Sequence, residues 1–255
     1  MAPITVSFDG DVAVITLSNP PLNLFGADAF DALDEAVAEI ERSSTRAAVW
    51  RADGEIMSGG VDVKVFDEAV QRGDGFPSLL GPIHRLEALE IPTLALCHGV
   101  CLTAAFEVAL ACDMIWAAES ARFGLVERVV GLTPGAGGTQ RVAERAGPAR
   151  ARELVMSGRL YDAATLERWN VVNRVVPDDE LLEKGMAFAR DLAAGPTRAH
   201  AMTKRIVRAY LDGGVAAADE ITPGVFSELF ETQDLQRAVR SFLEEGPGKA
   251  TFEGR

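Results

Sequence analysis

Aromatic residues make up only 7% of the 255 residues of this chain, and it carries just three histidines and three cysteines. Basic charge is short as well. Twenty-five lysines and arginines face 38 acidic residues, for a formal net charge of -13, so a nucleic-acid backbone or an anionic membrane is repelled on average. Cys97, Cys101 and Cys112 are an odd set in apolar settings, which fits reduced, buried thiols better than a disulfide framework. No run reaches the roughly 18 to 20 apolar residues that span a bilayer, and MAPITVSFDG has neither the basic nor the apolar region of a signal peptide. The expected location is therefore cytoplasmic. What is present is ordinary: 48% hydrophobic residues and 25% charged, enough for a sizeable core in one large domain or a main domain with an appendage.

Several chemistries are missing too. There is no G-x-S-x-G, and His84, His98 and His200 have no nucleophile context, which removes the serine-hydrolase reading. Cys97 and Cys101 with His98 lack a second ligand pair for zinc. The glycine-rich run Pro134-Gly135-Ala136-Gly137-Gly138-Thr139 matches neither phosphate-binding pattern and reads as a helix N-terminus packed close to another backbone.

In chain order, residues 4–8 and 12–17 alternate around Asp9-Gly10-Asp11 as a hairpin. Phe30, Leu33, Val37 and Ile40 give 27–42 a helical apolar face. Residues 47–51 form a buried strand, Gly59-Gly60 a turn before a helix starting near Asp62, 71–77 a mobile loop, and 79–89 an amphipathic helix. Strand 93–97, helix 103–111, strand 113–117 and an extended pair at 122–123 repeat that rhythm at roughly 45 to 50 residues, as stacked ββα turns do. From 137 onward helices are expected at 137–146, 148–157, 162–168, 179–194, 197–212 and 215–244, with one strand at 171–176. Lys204, Arg205 and Arg208 crowd one helix, either to hold a phosphate or as a solvated face. Leu229, Phe230, Leu235 and Phe242 form apolar faces that dock onto the chain or onto another subunit.

Two residues stand out against this background. Glu107 lies in a small-residue helix and Glu127 follows a short turn, both among apolar neighbours that make burial of a lone carboxylate expensive. They are either satisfied structurally or a proton-handling pair.

MSGGVD at 57–62, Glu107 after Thr103-Ala104-Ala105-Phe106, FGLVE at 123–127 and GLTPGAGGTQR at 131–141 together resemble the crotonase superfamily of enoyl-CoA hydratases and isomerases. NPPLN at 19–23 and the tail FLEEGPGKATFEGR extend the resemblance along the chain. It implies an α/β fold: a crotonase-like spiral of ββα turns over 1–195, followed by a helical C-terminal trimerisation region over 196–255, in a trimer or a dimer of trimers. It also implies an acyl-CoA thioester substrate, with coenzyme A as part of that substrate and no metal, nucleic acid or membrane.

By matched position, the backbone N–H groups of Val61 and Ala104 bind the thioester oxygen, where a helix start offers unpaired donors and a favourable dipole. Glu127 is then the group that exchanges the α-carbon proton, and Glu107 activates the water that adds at the β-carbon. Like charges in a dry pocket separate two such acidities. The resemblance further assigns Gly59 to the substrate turn, Asp62 to a helix cap and Lys64 to the coenzyme's phosphates. Gly135 positions water through its backbone, and Lys249 and Phe252 meet the adenine end. One departure is plain: the family usually has consecutive glycines where this chain has Thr103-Ala104-Ala105, whose Cβ atoms narrow the space beside the thioester. The implied reaction is hydration of a trans-2-enoyl-CoA to the 3-hydroxyacyl-CoA, as in fatty acid metabolism. Double-bond isomerisation in the same pocket and non-catalytic acyl-CoA binding are the alternatives.

Overall fold

The computed structural model describes residues 2–73 and 80–255. Of the expected loop at 71–77, Gln71 and Arg72 instead continue the preceding helix, and 74–77 lie outside the described residues, as does the first residue of the expected 79–89 helix. Its strands are β1 (Ile4–Asp9), β2 (Val12–Leu17), β3 (Ala47–Ala52), β4 (Thr93–Cys97), β5 (Val100–Leu102), β6 (Met114–Ala118), β7 (Arg122–Gly124), β8 (Tyr161–Asp162) and β9 (Arg174–Val176). Its helices are α1 (Ala27–Arg42), α2 (Val63–Arg72), α3 (Leu80–Ala88), α4 (Thr103–Ala111), α5 (Gly138–Ala146), α6 (Pro148–Ser157), α7 (Ala163–Arg168), α8 (Leu181–Ala194), α9 (Thr197–Phe230) and α10 (Gln233–Glu245).

The large sheet has the order β1-β2-β3-β4-β6-β9, antiparallel only at the β1–β2 hairpin. Successive residues of β2, β3 and β4 are buried. Since neighbouring side chains on a strand point to opposite faces, both faces of the sheet are covered, as parallel sheets require. Helix α8 packs across β2, β3, β4 and β6. Helix α1 buries Phe30, Leu33, Val37 and Ile40 as their spacing predicts.

After β3, β4 and β6 the chain leaves this sheet, touches a second, smaller sheet and enters helical structure. The small sheet is β5-β7-β8, extended by a bridge from Ser58 to Cys101. This alternation is the ββα spiral. β5 and β8 are absent from the sequence reading, because strands of three and two residues are too short to show alternation. The strand expected at 171–176 begins only at Arg174, since Val171 and Val172 bond back to Leu166 and enter the core from a turn.

The C-terminal helices need one correction. The expected helix 215–244 is two helices, because the Thr232 hydroxyl accepts from Leu235 N at 3.2 Å and caps a new start. The expected break near 213 is real: Gly214 has non-helical angles inside α9. Arg46 ties this region to the core, donating to Thr197 Oγ1, Gly195 O and Phe252 O at 2.6–2.9 Å. Lys204 pairs with Asp113, Arg205 with Glu228, and Arg208 with Asp212 and Glu87, so the basic cluster is an ionic face. Leu229 and Leu235 are half-buried, whereas Phe226, Phe230 and Phe242 stay exposed. All three cysteines are free and buried, and no described helix is long and apolar enough to cross a membrane.

Candidate active site

Ser58, Cys101, Phe123 and Tyr161 form one row across the small sheet, each paired with the next. Beyond that row the first three segments turn upward into a helix or a tight turn, so the residues just past it come together. Val61 and Ala104 are each the third residue past the row, and Glu127 is the fourth. Three distant stretches of sequence thus meet through backbone pairing alone.

The first segment is anchored hard. Ser58 N donates to Val100 O and Leu102 N to Ser58 O, while Gly59 N donates to Leu22 O and Phe25 N to Gly60 O. Asn23, almost fully buried, donates to Asp53 O at 2.7 Å and Ile56 O at 3.0 Å. Its own carbonyl receives the Ser58 hydroxyl at 2.6 Å, and that hydroxyl accepts from Gly60 N at 3.0 Å. NPPLN is therefore the clamp on the glycine turn. Only its appearance in the motif pointed to it beforehand, since a lone Asn in a loop carries no chemical signal. Asp62 caps α2 by accepting from Lys64 N at 3.0 Å, as expected; the Lys64 side chain is on an exposed position.

The second segment enters α4, a nine-residue helix buried all round. Such a helix is apolar on every face because every face meets protein. Thr103 opens it at φ +44°, a left-handed conformation for a β-branched residue, which costs on the order of 1–3 kcal/mol and clusters at functional positions. Its Oγ1 accepts the Val61 N–H at 3.1 Å. Gly60, at φ +105°, makes this possible, for a Cβ there would stand 2.6 Å from Thr103 Oγ1. The Val61 N–H expected to face the substrate is thus engaged by a side chain in this structure.

Glu107 follows one turn later and is 2% exposed. Its Oε1 accepts from Ala136 N and Gly138 N, both at 2.9 Å, so the carboxylate sits on the N-terminus of α5. Burial raises its pKa, and the two N–H groups and the Arg141 charge oppose that rise. Arg141 is itself fixed by Glu87 at 2.8 and 3.1 Å. The glycine-rich run is therefore an anion-receiving helix start whose anion is this protein's own glutamate. A Gly138→Ala change would set its Cβ 2.9 Å from Glu107 Cγ and about 3 Å from both Leu125 methyls. We expect at least ~10-fold lower turnover with an unchanged far-UV CD spectrum, since misplacing a reacting group is enough to lose rate.

Glu127 opens a short 3-10 turn after β7 and is 8% exposed. Its Oε2 is buried without a hydrogen-bond partner among the described residues. Burial first, and the nearby Glu107 charge as a further contribution, raise its pKa to about 7, against the pull of its own backbone N–H. The two carboxylates therefore have different surroundings: one is cradled by a helix start, the other meets its own backbone N–H and leaves Oε2 without a partner among the described residues. Gly135 is exposed beside this cradle, with open space at its Cβ position. Lys249 and Phe252 lie on the tail, where Phe252 O is held by Arg46 and the backbone N–H groups of Glu253 and Gly254 bond Asp234; no hydrogen bond joins them to the glutamates. A separate groove of about 770 Å³ between α3, α4 and α9 is lined by neither glutamate.

The same architecture occurs in known proteins. A chain from Rhizobium meliloti named "Probable enoyl-CoA hydratase" is 32% identical over 99% of this chain and 98% of its own length. The short-chain-enoyl-CoA hydratase of Clostridium acetobutylicum is 31% identical over 92% of each. A solved enoyl-CoA hydratase subunit from Geobacillus kaustophilus superposes with a TM-score of 0.91, at 30% identity, over 99% of this chain and 98% of that one. The sequence pattern described as "Enoyl-CoA hydratase/isomerase" is matched by residues 7–255, which takes in the clamp, the glycine turn, both glutamates and the tail. On that end-to-end match, this chain belongs to the enoyl-CoA hydratase/isomerase family.

Proposed function

We propose that this protein adds water across the double bond of a trans-2-enoyl-CoA to give the 3-hydroxyacyl-CoA. The observation that carries the reading is the contrast between the two buried glutamates. Hydration needs one group to take a proton from water and another to give one to carbon, and two carboxylates in different surroundings provide both. Glu107 has both N–H bonds on Oε1 and accepts the water proton through Oε2 as the oxygen bonds to Cβ. The electron pair of the double bond moves toward the thioester oxygen, which is received between Val61 and Ala104. Glu127, at a pKa of about 7, holds a proton part of the time at neutral pH and delivers it to Cα. Proton return from Glu107 to Glu127 by way of the next water closes the cycle. Coenzyme A enters as part of the substrate.

The names of the relatives support a hydratase in general terms, and the exposed Phe226, Phe230 and Phe242 support assembly of the 196–255 helices into a trimer or a dimer of trimers. The acidic surface and free buried thiols support a cytoplasmic enzyme. The test is a turnover screen across enoyl-CoA chain lengths in isotopically labelled water. Label at both Cα and Cβ is the expected result. Label at Cα alone would point to double-bond isomerisation, and tight acyl-CoA binding without turnover at any length would reduce the protein to a binder.

A further inference from the structure

The hydroxyl of Thr103 sits against the Val61 N–H, one residue before Ala104. It is 7% exposed and sits on a residue held at φ +44°, with Gly60 leaving the room it occupies. A hydroxyl can accept two hydrogen bonds and donate one. Here one acceptor position is filled by the Val61 N–H at 3.1 Å, and no described residue receives the proton. The oxygen is thus fixed from behind while its donor remains unspent.

We propose that Thr103 is an oxyanion donor: its O–H meets the thioester oxygen beside the Ala104 N–H, and the Val61 N–H acts through it. This rests on the hydratase reading and deepens it. Three features support a donor over a mere filler. The donors belong to adjacent residues, 103 and 104, so both stand at the same helix start, where the backbone dipole favours a developing negative charge. An N–H bonded to a hydroxyl oxygen polarises that hydroxyl and strengthens the bond it donates. Finally, a β-branched residue in a left-handed conformation is retained against its own strain, as happens where a side chain has a job at the site. Moving the donor outward by the length of one hydrogen bond also moves the carbonyl outward, so Thr103 sets the depth at which the acyl group lies relative to Glu107 and Glu127.

The competing possibility is that Thr103 Oγ1 only occupies the Val61 N–H, and that substrate must displace it. Thr103→Ala and Thr103→Ser separate the two. As an oxyanion donor, Thr103 should lose about 10²-fold in kcat on replacement by Ala with little change in KM, and Ser, which keeps the hydroxyl, should rescue most of that loss. A second readout is independent of turnover: bound cinnamoyl-CoA, whose conjugated thioester absorbs farther to the red as its carbonyl is polarised. The red shift on binding should be large for the parent and Thr103→Ser and much smaller for Thr103→Ala. Thr103→Ala with kcat/KM at or above the parent, or with an undiminished red shift, would overturn the proposal. If the parent hydrates no enoyl-CoA, the hydratase reading fails on its own, and the spectral shift still decides whether Thr103 bonds the thioester oxygen.

Discussion

Glu127→Gln lowers the hydration rate of a short trans-2-enoyl-CoA by about 10²- to 10⁴-fold, the span expected for removing a positioned proton donor. Substrate affinity changes little, because the amide keeps the size and shape of the carboxyl. Stopped measurement of kcat and KM, with deuterium exchange at Cα of the product followed by NMR, checks both. Near-parental hydration would sink the assigned role. The same variant has a stability signature of opposite sign. The native-state pKa of Glu127 is raised from 4.5 to about 7, so between these values the unfolded chain ionises while the native chain keeps its proton. The parent therefore loses stability as pH rises through that window, and above pH 7 the deficit is complete. Glutamine never ionises. At pH 8 the variant should be more stable by about 3 kcal/mol, or roughly 6–12 °C in Tm, and at pH 4 the difference should vanish. A residue whose removal stabilises the fold and abolishes turnover is one retained for chemistry.

Glu107→Gln is the second large effect, and it separates hydration from isomerisation. The side-chain carbonyl of glutamine can still accept from Ala136 N and Gly138 N, since its NH₂ would face two donors if turned around. The cradle should survive and only the base is lost. Hydration should fall about 10²- to 10⁴-fold, while Glu127 goes on exchanging the Cα proton of a bound acyl-CoA. Loss of water addition with persistence of Cα exchange is the expected pattern. An isomerase, in which one glutamate shuttles the proton and no water adds, would tolerate the change.

Both glutamates were legible in the sequence because a buried carboxylate is costly wherever it lies, and their apolar neighbours announced the burial. The hairpin, the apolar face of α1 and the start of α4 at Thr103 were legible for a similar reason, each being a local pattern of period or turn chemistry. What local pattern could not show is who meets whom. The Val61 N–H bonds a side chain 42 residues away, and Glu107 finds its donors 29 and 31 residues on. Arg141 and Glu87 are 54 apart. The three-residue strand β5 that aligns these groups has too few residues to announce itself. The glycine-rich run at 134–139 was read correctly as a helix start but without its occupant, since no feature of that run names a glutamate one turn into another helix.

The row Ser58, Cys101, Phe123 and Tyr161 works as a ruler for the chemistry. Neighbouring strands stand about 4.8 Å apart because main-chain hydrogen bonds set that spacing, whatever side chains the strands carry. A substitution among the residues just past the row changes which group is offered to the substrate and leaves the interval between offerings untouched. A scaffold of this kind lets reactivity drift while its metric stays constant: the side chain at Thr103 can change while strand pairing still sets the distance from the Val61 turn to the helix beside it. Redesign of this enzyme toward another acyl transformation is accordingly best confined to positions 61, 103, 104, 107 and 127, with the row itself left alone.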